Sequence, residues 1–313
     1  MTEVQEKHIP VLFGELIESL HFFETGKNII VDATLGLGGH ASGVLQKLGR
    51  GDIFIGLDCD EVNLASAQQR IEKTLADTPK NKQPTLYFVH TNFGTLDDTL
   101  NILGISHITA LYADLGVSSV HFDTPERGFS FRFDGPLDMR LDVTQGVTAA
   151  HLVNTLPYDK MAEIFRIYGD ESRAGFIAKK IIEARVIHPF ETTQQLADVV
   201  VKAWRDALPR IFQALRIAVN DEYSSLKKLL LSAHDRLITG GSISIISFHS
   251  GEDRIVKHFF REKSEAIRDS ITGQDIAPGT LEIKNKKPII PTEQEVSLNP
   301  RSRSALLRIA YKQ

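Results

Sequence analysis

The strongest constraint on this chain is Ile29-Ile30-Val31-Asp32-Ala33-Thr34-Leu35-Gly36-Leu37-Gly38-Gly39-His40, an apolar run that breaks into a glycine-rich turn and then a helix-like segment. It predicts strand, loop and helix. Glycines at such a turn let the backbone bend tightly and let a ligand approach where a Cβ would stand in the way. They also close ordinary turns, so the loop alone fits a plain connection as well. A second run, Ile53-Phe54-Ile55-Gly56-Leu57, ends in Asp58-Cys59-Asp60. That sets a carboxylate roughly 20 residues past the glycines, where an acid accepts both ribose hydroxyl hydrogens of a nucleotide cofactor.

The glycines fall at Gly36, Gly38 and Gly39, not as G-x-G-x-x-G, with Asp32 upstream and no basic residue in the turn. A pyrophosphate is therefore less natural here than a cofactor carrying adenosine, an amino-acid tail and a sulfonium. Carboxylates tolerate that cation, and glycine N–H groups can meet its carboxylate. S-adenosylmethionine is the leading candidate.

Two more strands are expected at Leu86 to Val89 and at Ile108 to Ala113, the latter ending at Asp114; helices are expected at His40 to Leu48, Asp60 to Leu75 and Leu96 to Leu103. Strands alternating with helices predict an α/β fold, a Rossmann-like parallel sheet with right-handed crossovers. Ligands of such sheets lie beyond the carboxyl ends of the strands near a switch point, which gathers Asp32, Asp58 and Asp114. A fifth strand, Ser242 to Phe248, delivers His249-Ser250 to the same edge. His249 reads either as a functional imidazole or as a structural hydrogen-bonding one.

Between the fourth and fifth strands the pattern changes. Leu115 to Arg140 is rich in Gly, Ser, Asp, Phe and Arg, and a connection this long is usually functional or disordered. Its interleaved rings and guanidiniums suit bases and phosphates, or Phe129 and Phe131 simply pin the loop to a core. Helical spacing then runs from Val147 to Asp206, with a capping box at Thr192 and Gln195. A long helix, about Phe212 to Leu237, leads back, with Arg216 and Asn220 on one face and Gly240-Gly241 ending it. The expected division is a core domain at residues 1–119 and 208–313, and an inserted loop and helical substrate-recognition domain at 120–207.

Net charge is -4 over 313 residues, which argues against indiscriminate polyanion binding, so a nucleic-acid substrate needs local basic patches. Arg254, Lys257, Arg261 and Lys263, the Lys284 to Lys287 run, and Arg301 and Arg303 offer them. Cys59 is the one cysteine, so a disulfide framework is excluded and a cytoplasmic location is expected. Met1 to Lys7 shows no signal-peptide pattern, and no segment reaches about 18 uninterrupted apolar residues. Neither a membrane span nor a metal constellation is expected.

Taken together, these segments resemble the bacterial ribosomal RNA cytosine-N4 methyltransferases of the MraW type. The likeness runs through His8 to Leu12, Asp32 to His40, Asp114 to Ser119, Glu126 to Arg140, Phe212 to Asn220, Ser247 to Phe259 and Asn299 to Arg308. It implies a methyltransferase core and small-subunit 16S ribosomal RNA as partner. It implies cofactor contacts by Gly38, Gly39 and His40, Asp58 on the ribose, Phe93 by the adenine, Asp114 near the methyl end, and His121 just past Ser119. Gly251 stands where the family usually has Leu, which predicts a looser turn after His249, and only Leu208-Pro209-Arg210 fills the stretch before Phe212.

The reaction so implied is methyl transfer to the exocyclic N4 of a cytosine. Asp114 is the expected acceptor of the amine hydrogen, Asp138 with Arg140 the expected bracket for base or phosphate, and Phe131, Phe133 or His249 the expected hold on the base. Two other classes use related features: a nicotinamide-dependent dehydrogenase on the same sheet, and a non-catalytic RNA-binding assembly factor. Whether the chain is a monomer or a homodimer is open at this level.

Overall fold

All four residues of Ile29–Asp32 (β1) are buried on both faces, as expected for a central strand of a parallel sheet flanked by helices. The structure is a computed structural model in which residues 10–268 and 274–313 are described; His8 and Ile9 of the opening segment lie outside them. Helix α1 (Phe13–Ser19) precedes β1. After it come α2 (Gly39–Leu45), β2 (Ile53–Asp58), α3 (Glu61–Thr74), β3 (Thr85–His90), α4 (Leu96–Ile102) and β4 (Ile108–Asp114). Helix α3 starts where it does because the Asp60 carboxylate accepts the Val62 and Asn63 N–H groups at 2.8 and 3.2 Å.

The chain divides into two compact units, one made of the sequence up to Gly116 and from Tyr223 onward, the other of Val117–Glu222. In the second unit lie α5 (Ser119–Asp123), α6 (Ala149–Thr155), α7 (Tyr158–Ile167), α8 (Ala174–Ile187), α9 (Thr193–Trp204) and α10 (Leu208–Val219). They close over Met139, Phe165, Ile177, Leu196, Phe212 and Leu215. The Thr192–Gln195 capping box forms as its spacing predicts.

The single long helix expected from Phe212 to Leu237 is two. Asp221, at φ 49°, breaks it, so α10 is followed by α11 (Glu222–Arg236). The apolar period continues across the break but serves two cores. Phe212 and Leu215 belong to the helical unit, whereas Leu226, Leu229 and Leu230 belong to the sheet unit. Residues 208–222 therefore pack with the helical unit, not with the core to which they were expected to return.

Strand β5 (Leu237–Ser247) runs through the glycine pair instead of starting after it. Gly240 takes φ 82°, and the register against β4 shifts between Ile108 and Ala110, so the pair makes a bulge. Then follow α12 (Ser250–Ser264), β6 (Ile267–Arg268), β7 (Asp275–Ala277), β8 (Leu281–Ile283), α13 (Glu293–Leu298) and β9 (Leu306–Lys312); residues 270–273 of the polar stretch before β7 lie outside the described ones. The main sheet has the order β3-β2-β1-β4-β5-β9-β8, with β1 to β5 parallel and β9 antiparallel to β5. Successive strands step outward from β1 one way to β3 and the other way through β4, which makes β1 and β4 the switch point. Among the described residues no helix is long and apolar enough to cross a membrane.

Candidate active site

The turn after β1 is built from glycines for two different reasons. Gly36 and Gly38 sit at φ 53° and 74°, the left-handed region that side chains resist. At Gly39 a Cβ would stand 2.6 Å from the Pro10 ring. The turn is tied to the next strand by the acid at its end: Asp58 accepts the Gly36 N–H at 2.7 Å on one oxygen and the Asp60 N–H at 2.8 Å on the other. Loop shape and carboxylate placement are thus one feature, with Leu35 N–H also donating to Leu57 carbonyl at 2.8 Å.

Two more acids end the strands on either side of the switch point. Asp32 is 2 % exposed and accepts the Thr34 N–H at 3.1 Å. Burial pushes its carboxyl up from 3.8 to about 7, against the pull of Tyr112 and the Thr34 amide, and the Asp58 charge adds to the rise. At the end of β4 the Asp114 N–H donates to the Thr34 hydroxyl at 2.6 Å. Burial, then the charges of Asp32 and Glu252, hold the Asp114 carboxyl well above the usual carboxylate range. Its Oδ1 is buried without a hydrogen-bond partner, and its Oδ2 lies 3.8 Å from His40 Nδ1. Because His40 Nε2 meets the Val11 carbonyl at 2.9 Å, that nitrogen carries the hydrogen and Nδ1 is the one turned to Asp114.

A buried carboxylate oxygen with no donor costs on the order of 1–3 kcal/mol, and such atoms persist where a ligand completes them. Three acids at adjoining strand ends fit a cationic sulfonium with a hydroxylated sugar. They do not fit a pyrophosphate.

The remaining expected residues of this unit flank that group. Phe93 begins a 3₁₀ turn directly after β3 and is half-buried against the core that holds Leu96 and Leu100, so its ring has a packing role as well as a place at the sheet end. His249 follows β5 and caps α12, its Nδ1 accepting the Glu252 N–H at 3.4 Å. Its Nε2 lies 3.1 Å from Glu252 Oε1 at an angle too poor for a hydrogen bond. Glu252, buried and also accepting the Phe248 N–H at 2.9 Å, was not singled out from sequence. The spacing His249-x-x-Glu252 was its signal, since an acid at the third position of a helix commonly reaches back over the cap. Tyr112 was missed because nothing in an apolar strand marks one hydroxyl as special, and Thr34 because a turn hydroxyl does not disclose the strand-end amide it meets.

The turn after His249 is not loose. A Cβ on Gly251 would fall 1.7 Å from the Tyr223 hydroxyl, so the Tyr223 phenol occupies the space a side chain there would need. Its ring centroid is 5.9 Å from that of His249.

The other expected residues belong to the helical unit. His121 is buried, its Nδ1 accepting the Ser118 N–H at 3.1 Å and its ring 5.1 Å from Phe129, a helix-capping environment. Asp138 meets the Arg140 guanidinium on both oxygens at 2.8 Å. Burial would raise its pKa, but that guanidinium outweighs it and holds the carboxyl below the usual range. Arg216 pairs with Glu222 at 2.8 and 2.9 Å, and Asn220 holds the loop by donating to Met139 carbonyl and accepting the Leu141 N–H, both at 2.8 Å. Phe129 is in the core of the unit, Phe131 lies edge-on to Phe212 at 5.3 Å, and Phe133 is exposed.

A doubly wound sheet with one antiparallel strand near its edge, acids at the ends of the strands about its switch point and a glycine turn between them defines a Rossmann-like methyltransferase fold. The particular family follows from comparison: the MraW methylase family matches residues 5–313, and the chain belongs to it. The "Ribosomal RNA small subunit methyltransferase H" of Halothermothrix orenii is 41% identical, covering 98% of each chain. The protein of the same name from Bacteroides fragilis is 39% identical over 97% of each. Among solved structures, an rRNA methylase from Streptococcus thermophilus aligns with a TM-score of 0.40 at 12% identity, covering 96% of this chain and 93% of that one.

Proposed function

We propose that this protein transfers a methyl group from S-adenosylmethionine to the exocyclic N4 of one cytosine in 16S ribosomal RNA. Its coarser activity, small-subunit ribosomal RNA methylation with S-adenosylmethionine as donor, follows from its family and near-full-length relatives. The observation that carries the finer reading is the buried, unpartnered Asp114 Oδ1 at the end of β4.

When bound, S-adenosylmethionine supplies an electrophilic methyl on a positively charged sulfur. The loop through Gly38, Gly39 and His40 and the Asp58 carboxylate are the residues that would hold it, with Phe93 by the adenine. Asp32 and Asp114 would face its charge. A cytosine N4 is a poor nucleophile because its lone pair is delocalised into the ring, so the protein must orient the amine and take a hydrogen from it. Asp114 can do both. Burial and the neighbouring acids raise its pKa, the donor's positive charge would favour its ionised, proton-accepting form, and placement supplies most of the rate. Methylation at cytosine C5 needs a thiolate, and the one thiol, Cys59, follows β2, where its carbonyl meets His90 Nε2 at 3.0 Å.

In this reading the helical unit recognises the RNA, with the exposed Arg254, Lys257, Arg301 and Arg303 adding phosphate contacts from the sheet unit. The test is transfer of labelled methyl to small ribosomal subunits from cells lacking this protein. Label recovered as N4-methylcytidine is the expected result; label on another base or atom overturns the N4 assignment.

A further inference from the structure

The helical unit carries a line of alternating cations and rings on its surface. Arg173, immediately before α8, lays its guanidinium over the Trp204 indole, with Cζ 3.5 Å from the ring centroid. Phe176 lies three residues on, hence on the same helix face, and is 48% exposed. Four residues further, Lys180 Nζ is 6.0 Å from the Phe176 ring. Trp204 itself is 37% exposed, and Lys202 and Arg205 beside it are exposed too.

None of these side chains belongs to the unit's buried core. The core side of α8 is Ala174, Ile177, Ala178 and Ile181. The nearby acid Glu171 is buried and bound by Arg210, whose Nε donates at 2.8 Å. Lys180 pairs with Glu183 at 2.8 Å, but a solvent-exposed pair is weak and yields readily to a phosphate.

We propose that Trp204, Arg173, Phe176 and Lys180 form a stacking platform for a single-stranded segment of the RNA substrate. The proposal rests on the reading of this protein as a ribosomal RNA methyltransferase. Unpaired bases present flat faces to aromatic rings and guanidinium planes, while flanking cations take the phosphates between them. The same line is poorly suited to a second copy of the chain, because an isologous contact would set cations against cations.

Trp204 is the chain's one tryptophan, so its fluorescence reports on the platform directly. The full chain is titrated with a fluorescein-labelled, cytosine-containing single-stranded RNA 12-mer, following label anisotropy and indole emission together. The expected result is indole quenching that saturates with the anisotropy. Arg173→Ala with Phe176→Ala then weakens binding about 10–100-fold and lowers the salt slope by about 1, with S-adenosylmethionine affinity unchanged. RNA binding with neither quenching nor loss in the variant overturns the platform and leaves the methyltransferase reading intact. Indole changes that track protein concentration without RNA, with a doubled mass in sedimentation, overturn it in favour of self-association. No methylation of small subunits by the wild type removes the reading beneath it.

Discussion

The sheet unit and the helical unit carry polar residues in opposite ways. In the first, acids sit poorly satisfied at strand ends: Asp32 is buried, Asp114 is half-buried with one buried oxygen that has no donor, and both pKa values are raised. In the second, the expected functional residues already have partners: Asp138 is matched by Arg140, and Arg216 by Glu222. A site prepared for a small charged ligand stores unfavourable electrostatics until the ligand arrives. A surface prepared for a polymer presents rings and cations outward. In the proposed reading, burial without a partner marks the chemistry, and exposed rings and cations mark recognition.

The sharpest way to break this contrast is Asp114→Asn, which keeps the volume and removes the base. It is expected to lower kcat for methyl transfer about 10²–10⁴-fold with S-adenosylmethionine affinity within a few-fold of wild type, by calorimetry. If the rate stays within a few-fold of wild type, the orphaned oxygen is structural. Asp138→Asn should cost far less turnover, because that carboxylate is occupied by Arg140.

Asp32 tests the stored electrostatics through stability. Its folded pKa is about 7 against 3.8 unfolded, so between those values the folded state holds a proton that the unfolded state releases. Stability contributed by this group is complete below about 3.8 and is lost as pH rises to about 7. The loss is of the order of 4 kcal/mol at most, taking about 1.4 kcal/mol per pKa unit. Asp32→Asn should therefore match wild type near the acid end of urea-unfolding series and be the more stable protein above neutrality. A wild-type profile of the same shape as the variant's would sink the assignment.

What was legible in the sequence follows the same division. Strand ends were readable because a parallel strand is a continuous apolar run and its terminal acid is conspicuous, hence Asp32, Asp58 and Asp114. The glycine turn was readable from composition, though its reasons differ: backbone angle at Gly36 and Gly38, the Pro10 ring at Gly39. Helix periodicity, by contrast, carries no label for the core it serves. Phe212 to Leu237 therefore read as one helix, when Asp221 divides it between two cores. Tertiary partners were equally hidden. Nothing local in Gly251 discloses the Tyr223 hydroxyl 1.7 Å from where its Cβ would be.

That pair gives a prediction of intermediate size. Gly251→Ala should destabilise by about 1–3 kcal/mol through overpacking, and Tyr223→Leu should recover much of it in the double variant. Denaturant midpoints of the four proteins form the cycle. Simple additivity would mean that the phenol is not the obstacle.

The smallest expected effect lies in the helical unit and tests whether its readable features are merely structural. Thr192 caps α9 by accepting the Gln195 N–H at 3.4 Å, while the Gln195 side chain accepts the Thr192 N–H at 3.2 Å. Thr192→Ala removes one half of this reciprocal pair and should cost about 1 kcal/mol by urea unfolding. Methyl transfer at saturating RNA should be unchanged, because a cap fixes where a helix begins and presents nothing to the substrate. A fall in turnover beyond the loss of folded protein would mean that the start of α9 takes part in recognition, and that the helical unit does not keep structure and function as separate as its paired acids imply.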